Sequence, residues 1–88
     1  MNRVRMYTTA ICPYCIRAKK LLNLRGAREI DEIRVDLRPE EMQRMTRETG
    51  RRTVPQIYIG DIHIGGCDEL YALDLAGKLT PLLVGTDA

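Results

Sequence analysis

Between residues 3 and 8 the chain alternates loosely, with Val4 and Met6 on one side and Arg3, Arg5 and Tyr7 on the other, which predicts a strand running into a loop at Cys12 and Pro13. From Pro13 the period changes. Ile16, Ala18, Leu21, Leu22 and Leu24 recur near helical spacing with charges between them, and Gly26 follows where a C-terminal cap is wanted. Pro13 falls in the first turn of that helix, where its missing N–H costs nothing. Residues Ile30 to Val35 predict a second strand, ending at Asp36. A second helix is predicted over Pro39 to Glu48, opened by Pro39-Glu40-Glu41, closed by Gly50, and turning Met42 and Met45 inward. The clearest hairpin signal is Gln56 to Ile64, where Ile57, Ile59, Ile62 and Ile64 flank a tight Gly60-Asp61 turn. Gly65-Gly66 breaks the chain. Asp68 to Ala76 then returns to helical spacing through Leu70 and Leu73 before Gly77, and the tail from Thr86 is expected to fray.

The order strand, helix, strand, helix, hairpin, helix predicts an α/β fold: a mixed four-stranded sheet (β-α-β-α-β-β-α) flanked by helices. Its first three elements form a right-handed βαβ unit with a parallel pair, and the hairpin adds antiparallel strands. With 88 residues and neither linker nor repeat, residues 1–88 read as one domain, because two halves would each be too small to bury a core.

Composition narrows the function without naming it. Apolar residues at 44% and charged residues at 30% are ordinary for a globular chain and argue against disorder. A net charge of +2 spread over both signs gives no footprint for nucleic acid. No apolar run is long enough to span a bilayer, and Met1 to Met6 lacks the apolar segment of a signal peptide, so a cytoplasmic, unprocessed monomer with no membrane partner is expected. Three cysteines do not suit a fully paired secreted framework; a reducing compartment and a working cysteine pair suit them better.

That pair is Cys12-Pro13-Tyr14-Cys15 at the junction of a strand and a helix. The first thiol stands at the helix N-terminus, where unpaired N–H groups and the macrodipole favour a negative charge. Cys12 therefore reads as the nucleophile, and Cys15, one turn further in and more covered, as the resolving thiol. Two other readings compete: a pair of small buried hydrophobes, and a zinc site in which Cys12, Cys15, Cys67 and His63 supply a Cys3His set. Against zinc, His63 falls in the middle of a predicted strand. Taken alone, Thr53-Val54-Pro55 opens an edge strand, and Gly65-Gly66-Cys67-Asp68 is a glycine turn followed by an acidic helix start.

Together and in order, these three segments resemble the signatures of dithiol glutaredoxins of the small bacterial type, over nearly the whole chain. The resemblance implies a thioredoxin-like fold and a glutathione-dependent thiol–disulfide oxidoreductase, with disulfide-containing or glutathionylated proteins as partners. It implies no metal and no bound cofactor; glutathione is the reducing co-substrate. Pro55 would follow a cis bond, and Val54 would offer its backbone N–H and C=O to the cysteinyl part of glutathione as an added strand does. The helix start at Gly66 and Cys67 would take the γ-glutamyl carboxylate, Asp68 the neighbouring amine, and Tyr14 would flank the sulfur. Cys67 would serve through packing or backbone rather than as a nucleophile, and Arg51 or Arg52 would meet the glycine carboxylate. The chain departs from the pattern in three places: Thr9 stands where a Lys is frequent, Glu69 where an Asp is, and Tyr58 where Phe is common. Some relatives instead hold an iron–sulfur cluster between two chains, and a pure interaction module built on the hairpin edge is a third class.

Overall fold

The computed structural model describes residues 2–85, so the expected fraying from Thr86 lies outside the described residues. Strand β1 (Val4–Thr8) is central. It pairs in parallel with β2 (Ile30–Arg34), in a register that sets Val4 opposite Ile30 and Thr8 opposite Arg34. On its other side it pairs antiparallel with β3 (Gln56–Ile59), which continues through the Gly60-Asp61 turn into β4 (Ile62–Gly65). The sheet order β2-β1-β3-β4 is the mixed four-stranded sheet expected from the element order.

Helices α1 (Pro13–Leu24) and α3 (Cys67–Leu75) cover one face of the sheet, and α2 (Pro39–Thr49) covers the other. Strand alternation decides which side chain meets which layer. Val4, Met6, Ile57 and Ile59 pack with Ala18, Leu21, Leu22 and Leu70 on the α1/α3 side. Tyr7 and Tyr58 point the opposite way and pack with Val35 and Met45 beneath α2. Tyr7, which the alternation sets on the side of Arg3 and Arg5, is fully buried there, because α2 covers that face of the sheet.

Two apolar residues of the α1 stripe also depart from expectation. Cys15, Ala18, Leu21 and Leu22 share the face on the sheet, whereas Ile16 (51% exposed) and Leu24 (72% exposed) fall to its flanks. A helix lying on one sheet buries a single stripe. Ile62, in the outer strand of the hairpin, is likewise exposed.

A further helix, α4 (Leu79–Val84), was not foreseen from the sequence. It seats Leu79 and Leu83 in the α1/α3 core, and its C-terminal carbonyls are tied to the other end of the chain: Asn2 donates its backbone N–H to Leu83 O (2.9 Å) and its side-chain amide to Leu82 O (2.7 Å). No helix among the described residues is long and apolar enough to cross a membrane.

Candidate active site

The end of β1 delivers the chain into a short loop and then into α1, with Cys12 as the N-cap in extended conformation (φ −146°, ψ 101°) and Pro13 at the first helical position. An N-cap side chain ordinarily accepts a hydrogen bond from one of the unpaired N–H groups of the first turn. Here sulfur does so: the Cys15 N–H donates to Cys12 Sγ at 3.2 Å. The Cys12 S–H in turn points at the Val54 carbonyl, 3.7 Å away, joining the helix start to the next segment of the site. Cys15 lies under the first turn at 2% exposure. Burial first, and the neighbouring Cys12 sulfur second, push its thiol up to about 12.

The loop ahead of Cys12 is held from the neighbouring strand connection. Ala10 N–H donates to Asp36 Oδ2 at 3.2 Å, and Arg34 grips the same carboxylate through two contacts of 2.7 Å. The guanidinium first, with help from the Ala10 N–H, holds the Asp36 carboxyl at about 2 against a partial desolvation that opposes it.

Val54-Pro55 is cis, as the resemblance implied, and lies across from the start of α3. That start is built by Gly65, Gly66 and Glu69. Gly65 has φ +111°, a conformation that favours glycine, and a Cβ there would lie 2.5 Å from Glu69 Oε1. Glu69 reaches back to the Gly66 N–H (2.7 Å) and across to Arg51 Nη1 (2.8 Å), through one and the same oxygen. These two contacts, the backbone one first, hold the Glu69 carboxyl below its ordinary value.

Between the two segments runs a groove of about 190 Å³ lined by Tyr14, Arg51, Thr53, Val54, Pro55, Gly66, Cys67, Asp68 and Glu69. Tyr14, Thr53, Val54, Pro55, Gly66, Cys67 and Asp68, expected at the glutathione site from the resemblance, all stand on it. Cys12 does not line it but meets its rim through the Val54 carbonyl. Of the two candidate cations Arg51 is in the groove, whereas Arg52 faces a different hollow beside Met42 and Arg47. Burial pushes the Cys67 thiol up, the opposite of what an attacking thiol needs. A larger hollow of about 500 Å³ near Arg3, Arg28 and Asp31 has no thiol in its lining, so size does not single out the chemistry here.

His63 does not join the cysteines: its Nε2 lies 2.8 Å from Gln56 Oε1, and among the described residues no three His, Cys, Asp or Glu side chains are grouped to hold a metal ion. The Cys3His set considered from sequence is therefore not assembled. Asp36 and the Arg51–Glu69 bridge are site features that sequence reading missed. The second left a trace, since a carboxylate three residues after a helix-capping position is a recognisable pattern; the first left none.

Comparison with known proteins points one way. The glutaredoxin family profile matches residues 4–64. A glutaredoxin of Pseudomonas aeruginosa is 54% identical over 94% of this chain and 98% of its own length, and glutaredoxin 3 of Escherichia coli is 49% identical over 94% and 99%. Among solved structures, the Brucella melitensis glutaredoxin superposes with a TM-score of 0.85 at 49% identity, covering 100% of this chain and 95% of that one. A buckwheat glutaredoxin–glutathione complex gives 0.87 at 36% identity, covering 96% and 78%. A cysteine-capped helix facing a cis-proline segment, in a chain this similar along nearly its whole length, leaves one assignment: the chain belongs to the glutaredoxin family of thiol–disulfide oxidoreductases.

Proposed function

We propose that Cys12 is the nucleophile toward protein–glutathione mixed disulfides and that the groove beside it holds the glutathione half of the substrate. The Cys12 thiolate attacks the glutathione sulfur, the mixed disulfide breaks, and the protein leaves as a thiolate that takes up a proton. Cys12 is then disulfide-linked to glutathione. A second glutathione thiolate attacks the glutathione sulfur of that bond, releasing oxidised glutathione and restoring Cys12. For a protein disulfide, Cys12 forms the mixed disulfide and Cys15 attacks Cys12 to release the reduced protein, leaving a Cys12–Cys15 disulfide that two glutathiones reduce.

One observation carries this reading: a single groove gathers Tyr14, Thr53, Val54, Pro55, Gly66, Cys67 and Asp68, and the Cys12 sulfur meets its rim at the Val54 carbonyl. In the proposed pose Val54 presents its backbone to the cysteinyl part of glutathione, the N–H groups of Cys67 and Asp68 take the γ-glutamyl carboxylate, since the Gly66 N–H is held by Glu69, and the Asp68 side chain takes the amine. Arg51 meets the glycine carboxylate while sharing its charge with Glu69. Tyr14, 55% exposed, flanks the sulfur. The buckwheat relative solved with glutathione supports the choice of ligand. We place this activity in a reducing cytoplasm, carried by residues 1–88 as one monomeric domain with no bound cofactor; an odd count of three cysteines suits that setting.

Turnover of a glutathionylated peptide, coupled to glutathione and glutathione reductase, tests the reading, with a thioredoxin-reductase-coupled reaction as control. The expected result is a rate with glutathione well above the control. No rate with glutathione would sink it.

A further inference from the structure

Gln56 is completely buried at the start of β3, where a primary amide must have all its strong bonds met from within the protein. Its amide nitrogen donates to the Thr53 carbonyl at 3.0 Å and reaches Thr53 Oγ1 at 3.3 Å. Its amide oxygen lies 2.8 Å from His63 Nε2 in β4. The Thr53 carbonyl can only accept, so the nitrogen of Gln56 must face Thr53 and its oxygen must face His63. His63 must then carry a hydrogen on Nε2. With the hydrogen on Nδ1 alone, the amide would be driven to turn over and two oxygens would meet at Thr53. The imidazole is held for this task by Tyr58, whose ring lies 5.0 Å away between centroids at 37°.

Neither Gln56 nor His63 lines the groove. Whatever they do there passes through Thr53, which precedes the residue whose carbonyl faces the Cys12 sulfur. We propose that Gln56, oriented by the Nε2–H tautomer of His63, is a positioning residue for the glutathione groove: it fixes the Thr53 carbonyl and with it the direction in which Val54 presents its backbone. This rests on the glutathione reading above. Gln56→Met keeps the volume and removes the polar end. His63→Phe keeps the ring against Tyr58 and removes the donor, and His63→Gln returns an N–H at the reach of Nε2.

Steady-state kinetics of the full chain with a glutathionylated peptide, together with nitrogen-15 NMR of His63, test the role. Gln56→Met and His63→Phe are each expected to raise KM for the peptide about tenfold, the size expected when a hydrogen bond holding a binding strand is lost, while kcat stays within about twofold. His63→Gln should return most of the loss, and the wild-type imidazole should show the Nε2–H tautomer. If Gln56→Met fails to fold, His63→Phe decides alone. Wild-type turnover with KM unmoved, with kcat falling in place of KM, or with an Nδ1–H imidazole, overturns the positioning role by itself. Absence of wild-type turnover overturns the glutathione reading and this role with it.

Discussion

The backbone N–H of Cys15 points at the sulfur of Cys12 from 3.2 Å, so the residue proposed to resolve the mixed disulfide also donates, through its main chain, to the sulfur proposed to form it. The two contributions separate on mutation, because serine at position 15 keeps the N–H and loses the thiol. Cys12→Ser should abolish both deglutathionylation and protein-disulfide reduction. Cys15→Ser should lose protein-disulfide reduction and keep most deglutathionylation, within about threefold of wild type. Parallel assays on one glutathionylated and one disulfide-bonded substrate read the split, and equal loss in both mutants would refute the assignment.

Burial that pushes the Cys15 thiol up to about 12 leaves it protonated at neutral pH. Cys67 is shifted in the same direction, also by burial. A brief pulse of iodoacetamide at pH 7 on the reduced chain should therefore mark Cys12 first, with Cys15 and Cys67 following at least about tenfold more slowly. Peptide mass spectrometry against time checks the order; label appearing on Cys67 at the rate of Cys12 would contradict it.

Much of this arrangement was legible in the sequence, for physical reasons that differ from element to element. The change from two-residue to helical period at Pro13 located the β1–α1 junction, and with it Cys12, because a strand and a helix cannot share a hydrophobic pattern. The Gly60-Asp61 turn fixed the hairpin. Helix α4 left no such mark: six residues with Pro81 among them and no capping side chain are held by Leu79, Leu83 and the distant Asn2, contacts that exist only once the chain ends meet. The same is true of Asp36, whose acceptor role toward Ala10 spans 26 residues. The cis state of Val54-Pro55 came from family resemblance, since trans is the commoner state before proline. That the three segments converge on one ligand likewise came from the resemblance; in the fold, β3 lies beside β1 and the segments share one groove.

Beneath α2, Glu48 Oε1 accepts from the Tyr7 hydroxyl at 2.9 Å, while Arg5 lies 3.4 Å from the same oxygen and stacks 4.4 Å from the centre of the Tyr58 ring. Burial first, then this hydrogen bond, raises the Tyr7 phenol from 10.0 to about 12. A phenol raised on folding contributes stability that is complete below its unfolded value and is lost as pH climbs from about 10 to about 12. Tyr7→Phe should lower stability at pH 7 by about 1 to 3 kcal/mol, through the lost bond to a carboxylate, and should flatten the alkaline decline. Urea unfolding at pH 7, 10 and 11 measures both. An alkaline slope identical to wild type would show that Tyr7 is not its source.

Asp36 governs the acid side. Its carboxyl, moved from 3.8 to about 2 chiefly by Arg34, is depressed on folding, so the stability it adds is present above about 4 and disappears as pH falls toward 2. The pair is exposed, which keeps the effect small at moderate salt. Asp36→Asn retains an acceptor for Ala10 N–H and removes the titration. Melting curves of the two proteins should differ at pH 5 and converge by pH 2. A gap that persists undiminished at pH 2 would assign the difference to packing rather than to charge.

Gly65→Ala tests how tightly the start of α3 is specified. The φ of +111° is strained for alanine, and the new methyl would stand 2.5 Å from Glu69 Oε1, forcing that carboxylate off the Gly66 N–H, off Arg51, or both. The expected cost is about 1 to 3 kcal/mol in urea unfolding, with a raised KM for glutathionylated peptide because the N–H groups proposed to bind the γ-glutamyl carboxylate lose their alignment. Glu69→Ala separates the two sources of the cost. In that background the methyl has room, so Gly65→Ala should retain only the backbone part, and the double-mutant cycle should show a coupling of about 0.5 kcal/mol or more. Strict additivity would mean that Glu69 yields freely and that backbone strain at Gly65 alone sets the penalty.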